Sequence, residues 1–465
     1  MGEYDAVVVG AGPNGLAGAL ELTAEGHRVL VVEGSPSIGG GARTKELTLP
    51  GFLHDVCSAI HPMGAASPFF RSRDIGDWIH PDIPATHPLD GGRVAVLHRG
   101  LDPTVRQLGP DGSRYRSLVG PLVDNADKLM TQVLGPLVVP PPNPVTLGRF
   151  GLPGLLPAST LVKSFHTEEA RALFAGLAAH AIAPFHRPLT GAVGILFAVV
   201  AHSYGWPLAR GGSQEIAEQL AAEIIAGGGT IEVDRTIGDI RELPTASTVL
   251  LDVMPDAARR IARGRVAPSA DRRLAKRRLG PGVFKVDWAL DGPIPWTDEA
   301  SGRAGTVHVG GTFEEVAAAE AAVHSGDHPE RPFVIIAQQS LFDPDRAPGG
   351  KQTAWGYCHV PHASDKDMTA QIESQIERFA PGFRDRVLAR HTMGSSDFAA
   401  YNPNYAGGDI AGGAFSTSRM LQFGMQRPYL LGDGLYLCSS ASPPGGGVHG
   451  MCGYHAARAA ISRLG

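Results

Sequence analysis

Cysteine is scarce in this chain: Cys57, Cys358, Cys438 and Cys452 are scattered through 465 residues. Their spacing fits no metal knuckle and no redox pair, so free thiols in a reducing cytoplasm are expected. Charge is low as well. Asp, Glu, Lys and Arg make up 19%, against about a quarter of an average soluble protein, which suits a large core or an apolar cavity. The net charge of −5 offers nucleic acid nothing to hold. Long apolar runs are missing too. A bilayer span needs about 20 apolar residues, and the nearest approach, 189–200, is broken by Thr190, Gly191 and Gly194. No basic stretch precedes the first apolar run, so no signal peptide is expected. His324 and His328 have no third ligand in view, and no metal is expected.

Glycine is abundant, with 60 residues, and the chain is organised around its first cluster. Asp5-Ala6-Val7-Val8-Val9 has the branching of a buried parallel strand. It runs into Gly10-Ala11-Gly12-Pro13-Asn14-Gly15, a G-x-G-x-x-G turn, and then into a helical pattern that ends at Gly26. A second strand, 28–32, ends in Glu33, 18 residues beyond Gly15. Gly10 allows the tight turn, Gly12 lets a diphosphate approach the backbone, and Gly15 lets helix and strand pack closely. The helix N-terminus then faces the phosphates, and Glu33 stands where an acid accepts from a ribose hydroxyl. Strand, turn, helix, strand and acid in this order indicate dinucleotide binding.

A second cluster, Ile38-Gly39-Gly40-Gly41-Ala42-Arg43-Thr44, brings backbone and a cation toward the same phosphates. Near the C-terminus a strand at 434–438 leads into Gly445-Gly446-Gly447-Val448-His449-Gly450 and a helix from Met451 to 464. With Gly211-Gly212 and its helix, these elements resemble the phytoene-dehydrogenase-like FAD oxidoreductases. That group includes carotenoid desaturases, carotenoid isomerases and retinol saturase, and this chain is most similar to its "phytoene dehydrogenase-related" branch. The resemblance covers essentially the whole chain and implies FAD as cofactor. It also implies that the C-terminal helix points its dipole at the pyrimidine end of the flavin. Cofactor contacts are then expected from Gly10, Gly12, Pro13, Asn14, Gly15, Glu33, Gly40, Gly41, Arg43, Ile237, Gly447, Val448, His449, Gly450 and Met451. His61, on a segment that passes the flavin in this class, and His449, at the helix terminus, are the candidate catalytic residues. His449 could instead only cap its loop. Where carotenoid desaturases have a threonine-histidine-proline turn, this chain has Ala441-Ser442-Pro443-Pro444, which puts a carotenoid substrate in doubt.

The expected fold is α/β: a FAD-binding Rossmann-like domain assembled from 1–100, 205–255 and 425–465, plus an α+β substrate domain from 101–204 and 256–424. Helices are expected at 167–180, with Thr167 as N-cap, and at 189–200. The strand at 283–290, apolar at Phe284, Val286, Trp288 and Leu290, reads as half-buried. With 306–309, 333–337 and 353–360 it forms a sheet of about four strands that could floor a cavity. Ser364 and Asp367 suggest a capping box before a helix. The stretch 259–278 holds nine basic residues and one acid, Asp271. It reads as a solvated helix face, with peripheral contact to an anionic membrane as the other reading. His202, Tyr204 and Trp206 are candidates to line a cavity, whereas Tyr454 and His455 are expected to pack. The loop at 401–409, with Tyr401 and Tyr405, either lines a ligand site or is a crossover.

Only one G-x-G-x-x-G is present, so a dedicated NAD(P)H domain is not expected, and the electron acceptor stays open among dioxygen, a quinone or another partner. The implied reaction moves a hydride between an apolar, isoprenoid- or lipid-like small molecule and the flavin. The alternatives are a flavin amine oxidase, a redox-neutral isomerase or saturase using reduced FAD, and a flavin-containing binding partner without catalysis. A homodimer is expected only on the ground that twofold symmetry is commonest.

Overall fold

The computed structural model describes residues 3–419 and 427–464, so residues 425 and 426 of the expected domain boundary lie outside it. Two sheets carry the architecture. The first has six strands in the order Leu430–Gly432, Leu435–Leu437, Thr248–Leu251, Ala6–Val9, Val29–Val32, Thr230–Glu232. All neighbours pair in parallel except Leu430–Gly432, which is antiparallel. A parallel sheet is covered on both faces, and the short β-branched runs here are buried throughout. Val8, Val31 and Leu250 face helices Pro13–Ala24, Gln214–Ala226 and Met451–Leu464. Val7, Leu30 and Leu251 face helices Pro255–Ile261 and Pro268–Ala275 on the other side.

The second sheet has seven strands, in the order Val387–Met393, Gly282–Leu290, Gln352–Val360, Val334–Ala337, Ala304–Val309, Ile83–Leu89, Arg93–Leu97. It is antiparallel apart from the parallel pairing of Ala304–Val309 with Ile83–Leu89. Phe284, Val286 and Trp288 pack under helix Thr369–Phe379 through Ile372, Ile376 and Phe379. Phe333, Ala337 and Trp355 join the larger core with Leu173 and Phe174 of helix Glu168–Ala179 and with Val199 of helix Thr190–Ser203. The fold is thus the mixed α/β arrangement expected, with a Rossmann-like unit and a mixed sheet.

Several local expectations change. The two strands at 83–97 fall within the segment expected to join the dinucleotide unit, but they pair into the second sheet. Strand Gly282–Leu290 is buried at all nine positions rather than on one face, because strands flank it and layers cover both its sides. The capping box at Ser364 and Asp367 does not form. The helix begins at Thr369, whose N–H donates to Asp367 Oδ1 at 2.8 Å. Ser364 turns instead to His328 at 2.6 Å. Thr167 does cap its helix, accepting from Ala170 N–H at 3.3 Å. In the basic stretch, Arg259 donates to Asp271 Oδ1 at 2.7 Å and ties two short helices together. Arg277 donates to the Ala441 carbonyl at 2.6 Å, so it braces a loop and does not lie on a solvated face.

Candidate functional site

The site begins at the carboxyl end of Ala6–Val9, where the central strand meets the helix Pro13–Ala24 with proline at its first turn. Gly10 has φ +102°, and a Cβ there would lie 2.8 Å from the Asp252 carbonyl. A Cβ on Gly15 would lie 2.0 Å from the Gly10 carbonyl, so strand, turn and helix touch through backbone alone. The second cluster closes on the first: a Cβ on Gly40 would lie 3.0 Å from Gly12 Cα, and Gly39 N–H donates to the Ala11 carbonyl at 2.8 Å. Glu33 Oε2 accepts from Ala11 N–H at 2.7 Å and Oε1 from Ser35 N–H at 2.9 Å. Oε2 keeps a further lone pair for a hydroxyl, whereas Oε1 also faces Arg43 at 3.5 Å.

Arg43 is buried. Its guanidinium donates to the Ser37 carbonyl at 2.6 Å and the Ile38 carbonyl at 3.0 Å, and it lies 3.5 Å from Glu33. It therefore holds the glycine loop and Glu33 in place. Tyr401 O–H donates to the Gly40 carbonyl at 2.7 Å, and the Tyr405 hydroxyl occupies the space that a Cβ on Gly41 would need. The tyrosine loop thus forms the lid of the second glycine cluster, where the sequence left its role open. Ile237 is buried in the apolar core behind the sheet, with Val7 and Val32.

The C-terminal loop reaches the same region from the other side. A Cβ on Gly64 would lie 2.9 Å from the Val448 carbonyl, and Ser67 donates to the His449 carbonyl at 2.7 Å. The short helix Pro62–Ala66, which His61 opens, is therefore packed on residues 448–449. A Cβ on Gly450, at φ +68°, would lie 2.8 Å from both Ala17 and Phe70, and one on Gly453 would lie 1.7 Å from the Asn14 carbonyl. Helices Pro13–Ala24 and Met451–Leu464 thus cross at backbone contact, which brings their N-termini together.

The two histidines have different surroundings. His449 Nδ1 accepts from Met451 N–H at 3.1 Å, which makes it a cap for the C-terminal helix. His61 Nε2 lies 2.8 Å from Ser213 Oγ. The Ser213 hydroxyl donates to the Ser58 carbonyl at 2.6 Å, so Nε2 of His61 carries the proton and Nδ1 holds a lone pair. Nδ1 is buried without a protein partner among the described residues, as a group awaiting a ligand N–H or O–H would be. Burial depresses the pKa of both imidazoles to about 4, so both are neutral at pH 7. Ser213 carries no signal of its own in the sequence. Its role shows only through contacts with Asp55, Ser58 and His61.

Three other candidates sit elsewhere. His202 meets the Tyr115 hydroxyl at 2.8 Å, Tyr204 donates to Asp127 at 2.7 Å, and buried Trp206 donates to Thr306 at 3.0 Å. Tyr454 and His455 pack, as expected, on Phe69 and Tyr429. A buried charged cluster escapes the sequence reading altogether. Lys285 donates to Asp287 at 2.5 Å inside the second sheet, with His391 3.3 Å and His54 3.7 Å from Asp287. Two charges within an otherwise apolar strand are the available signal. Asp252 escapes it as well: its Oδ2 accepts from Gly15 N–H at 2.8 Å, within the turn itself. Among the described residues no group of three His, Cys, Asp or Glu is placed to hold a metal. No described helix is long and apolar enough to cross a membrane.

Residues 8–72 match the family described as "NAD(P)-binding Rossmann-like domain". The chain is 25% identical to mouse (Mus musculus) pyridine nucleotide-disulfide oxidoreductase domain-containing protein 2, across 99% of this chain and 94% of that protein. A shorter stretch of 126 residues is 32% identical to a limonene dehydrogenase polypeptide from Castellaniella defragrans, covering 25% of this chain and 22% of that one. Among solved structures, cyclohexylamine oxidase from Brevibacterium oxydans IH-35A superposes with a TM-score of 0.60 at 15% identity, over 99% of this chain and 98% of that one. Residues 8–72 of the chain thus form an NAD(P)-binding Rossmann-like domain, set in a fold similar along its whole length to that of cyclohexylamine oxidase.

Proposed function

We propose that this chain is an FAD-dependent oxidoreductase whose substrate is an apolar, isoprenoid- or lipid-like molecule. The observation that carries the cofactor assignment is the convergence of three glycine segments, at 10–15, 39–41 and 445–450. A Rossmann-like unit alone reads the ADP half common to NAD(P) and FAD. Support for a flavin half comes from the second cluster, which lies against Gly12, and from the C-terminal helix, which crosses at Asn14. The residues present fit the group: a Cβ would lie 2.8 Å from its nearest neighbour at Gly10 and Gly12 and 2.0 Å at Gly15, so the first turn stays bare backbone, and His61 Nδ1 is a buried acceptor without a partner among the described residues.

FAD, when bound, supplies the electron sink for removal of a hydride from substrate carbon. The chain's own part is binding and electrostatics. With FAD bound, the N-terminus of Pro13–Ala24 would turn its free N–H groups toward the diphosphate, the Gly15 N–H being taken by Asp252, and Glu33 would accept from the ribose. His449 caps Met451–Leu464 and fixes the direction of that helix's N–H groups. His61, neutral and held by Ser213, presents a lone pair to a bound N–H. Support for an isoprenoid class comes from the identity to the limonene dehydrogenase polypeptide, confined to a quarter of the chain. Amine oxidation is the second reading, favoured by the fold similarity to cyclohexylamine oxidase.

An anaerobic absorbance titration decides between them. Purified protein is expected to show an oxidised-flavin spectrum that a cyclic monoterpene bleaches and cyclohexylamine does not. Bleaching by the amine alone replaces the isoprenoid reading. A flavin that isomerises a double bond without net bleaching moves the chain to the redox-neutral class. A protein that neither carries nor takes up flavin overturns the cofactor assignment.

A further inference from the structure

Asp252 follows the strand Thr248–Leu251, next to the central strand, and enters the dinucleotide turn. Its Oδ2 accepts from Gly15 N–H at 2.8 Å and lies 2.8 Å from where a Gly12 Cβ would be. Gly12 is the glycine through which a diphosphate approaches the backbone. The other carboxyl oxygen has no protein hydrogen bond among the described residues, and the residue is 8% exposed. A carboxylate beside Gly12 would lie close to two phosphate charges in a buried turn, where Coulomb repulsion is weakly screened.

We propose that Asp252 is a proton-dependent gate on dinucleotide binding: protonated, it shares the cradle with the diphosphate and donates to it, and ionised, it repels it. The inference rests on the dinucleotide reading above. The groups around it leave little else to titrate. Glu33, at the end of Val29–Val32, is an acid that opposes ionisation of Asp252, but it is braced by Ala11 N–H and Arg43. Helix Pro13–Ala24 contributes the Gly15 N–H. Tyr405 from the lid loop, Cys438 from the neighbouring strand's end and Cys452 from the C-terminal helix all lie within reach of the Asp252 charge. Burial drives all three upward, Cys452 to about 12, so none ionises near neutrality. His61 and His449 titrate near 4. Asp252 is left within the physiological range: burial, and then Glu33, push its pKa up to about 7.

The sign follows from linkage. A bound diphosphate raises the carboxyl's pKa further, so binding takes up a proton wherever free Asp252 is ionised. Affinity is then full below the free-protein pKa and falls as pH rises above it. The diphosphate diester keeps its charge throughout this range.

The test is the Kd of the apoprotein for FAD, read by flavin fluorescence at pH 6 and pH 8.5. Wild type is expected to weaken by about thirtyfold across that span, the full linkage of one proton above a pKa near 7. Asp252→Asn, whose amide oxygen still accepts from Gly15 N–H, is expected to bind at both pH values as wild type does at pH 6. Asp252→Ser serves as a second non-titrating variant should the asparagine protein fold poorly. A flat wild-type profile, or an equal loss in wild type and variants, overturns the gate while leaving FAD binding intact. Absence of FAD binding at pH 6 in every protein overturns the cofactor reading itself, and the gate with it.

Discussion

Gly15→Ala protein is expected to purify without flavin and to melt well below wild type. The added Cβ would lie 2.0 Å from the Gly10 carbonyl and 3.0 Å from Asp252 Oδ2. The first of these is backbone, so no side-chain rotation relieves the clash. The helix must back away from the central strand, which opens the turn that cradles the diphosphate and breaks the Gly15–Asp252 hydrogen bond. Overpacking typically costs about 1–3 kcal/mol, and a clash against backbone lies at the upper end of that range. The same outcome is expected of Gly453→Ala, whose Cβ would meet the Asn14 carbonyl at 1.7 Å at the helix crossing. Gly148→Ala is the control. It lies within helix Pro144–Gly154 with nothing within 4 Å of a new Cβ, and alanine there should stabilise by up to about 1 kcal/mol. A Gly15→Ala protein that keeps its flavin and its melting temperature would show that helix and strand do not meet as described.

The sequence made that contact legible because the dinucleotide unit is local. Strand, turn, helix and acid follow one another within the first 33 residues, and each has a pattern of its own. Thr230–Glu232, Thr248–Leu251 and Leu435–Leu437 were legible as short apolar runs, whereas the antiparallel edge strand Leu430–Gly432 left no such mark. The second sheet was read less well. Ile83–Leu89 contains Pro84, His87 and Pro88, a composition that suggests turns, yet it pairs on both sides. Val387–Met393 is an edge strand with Arg390 and His391, half exposed, so no apolar run marked it. Lys285 and Asp287 looked like the wet side of a half-buried strand. The covering layer comes from residues distant in sequence, and spacing within the strand carries no trace of it. Asp252 escaped for the same reason. Its partner, Gly15, is 237 residues away, and nothing in the run 248–252 shows that its last side chain turns into a glycine loop.

Arg346→Met should produce the other large loss, one that shrinks as pH falls. Arg346 is 1% exposed and donates to Asp55 at 2.9 Å, to Asp343 at 3.0 Å and to the Ala209 carbonyl at 2.9 Å. Asp343 in turn accepts from Gly211 N–H at 2.9 Å, and Asp55 accepts from Ser213 N–H at 2.8 Å. One guanidinium thus ties the loop before Gln352–Val360 to the segment that carries Ser213, and through Ser213 to His61. Methionine fills much of the same volume but leaves two buried carboxylates without their cation, which costs about 3–5 kcal/mol. Lysine would not restore the site, since a single ammonium cannot reach three acceptors with the geometry of a fork. Burial opposes ionisation of Asp55, yet the charge of Arg346, with the Ser213 N–H, outweighs it and holds the carboxyl below its usual range. That contribution to stability is present above the unfolded-state value of about 4 and is lost only as pH falls through the lower folded value. In the variant the balance reverses: burial dominates and Asp55 takes up a proton at higher pH, which removes the uncompensated charge. The gap in melting temperature between wild type and Arg346→Met should therefore be widest at pH 7 and narrower at pH 5. A gap that is absent, or equal at both pH values, would mean that the arginine's packing and not its charge joins these segments.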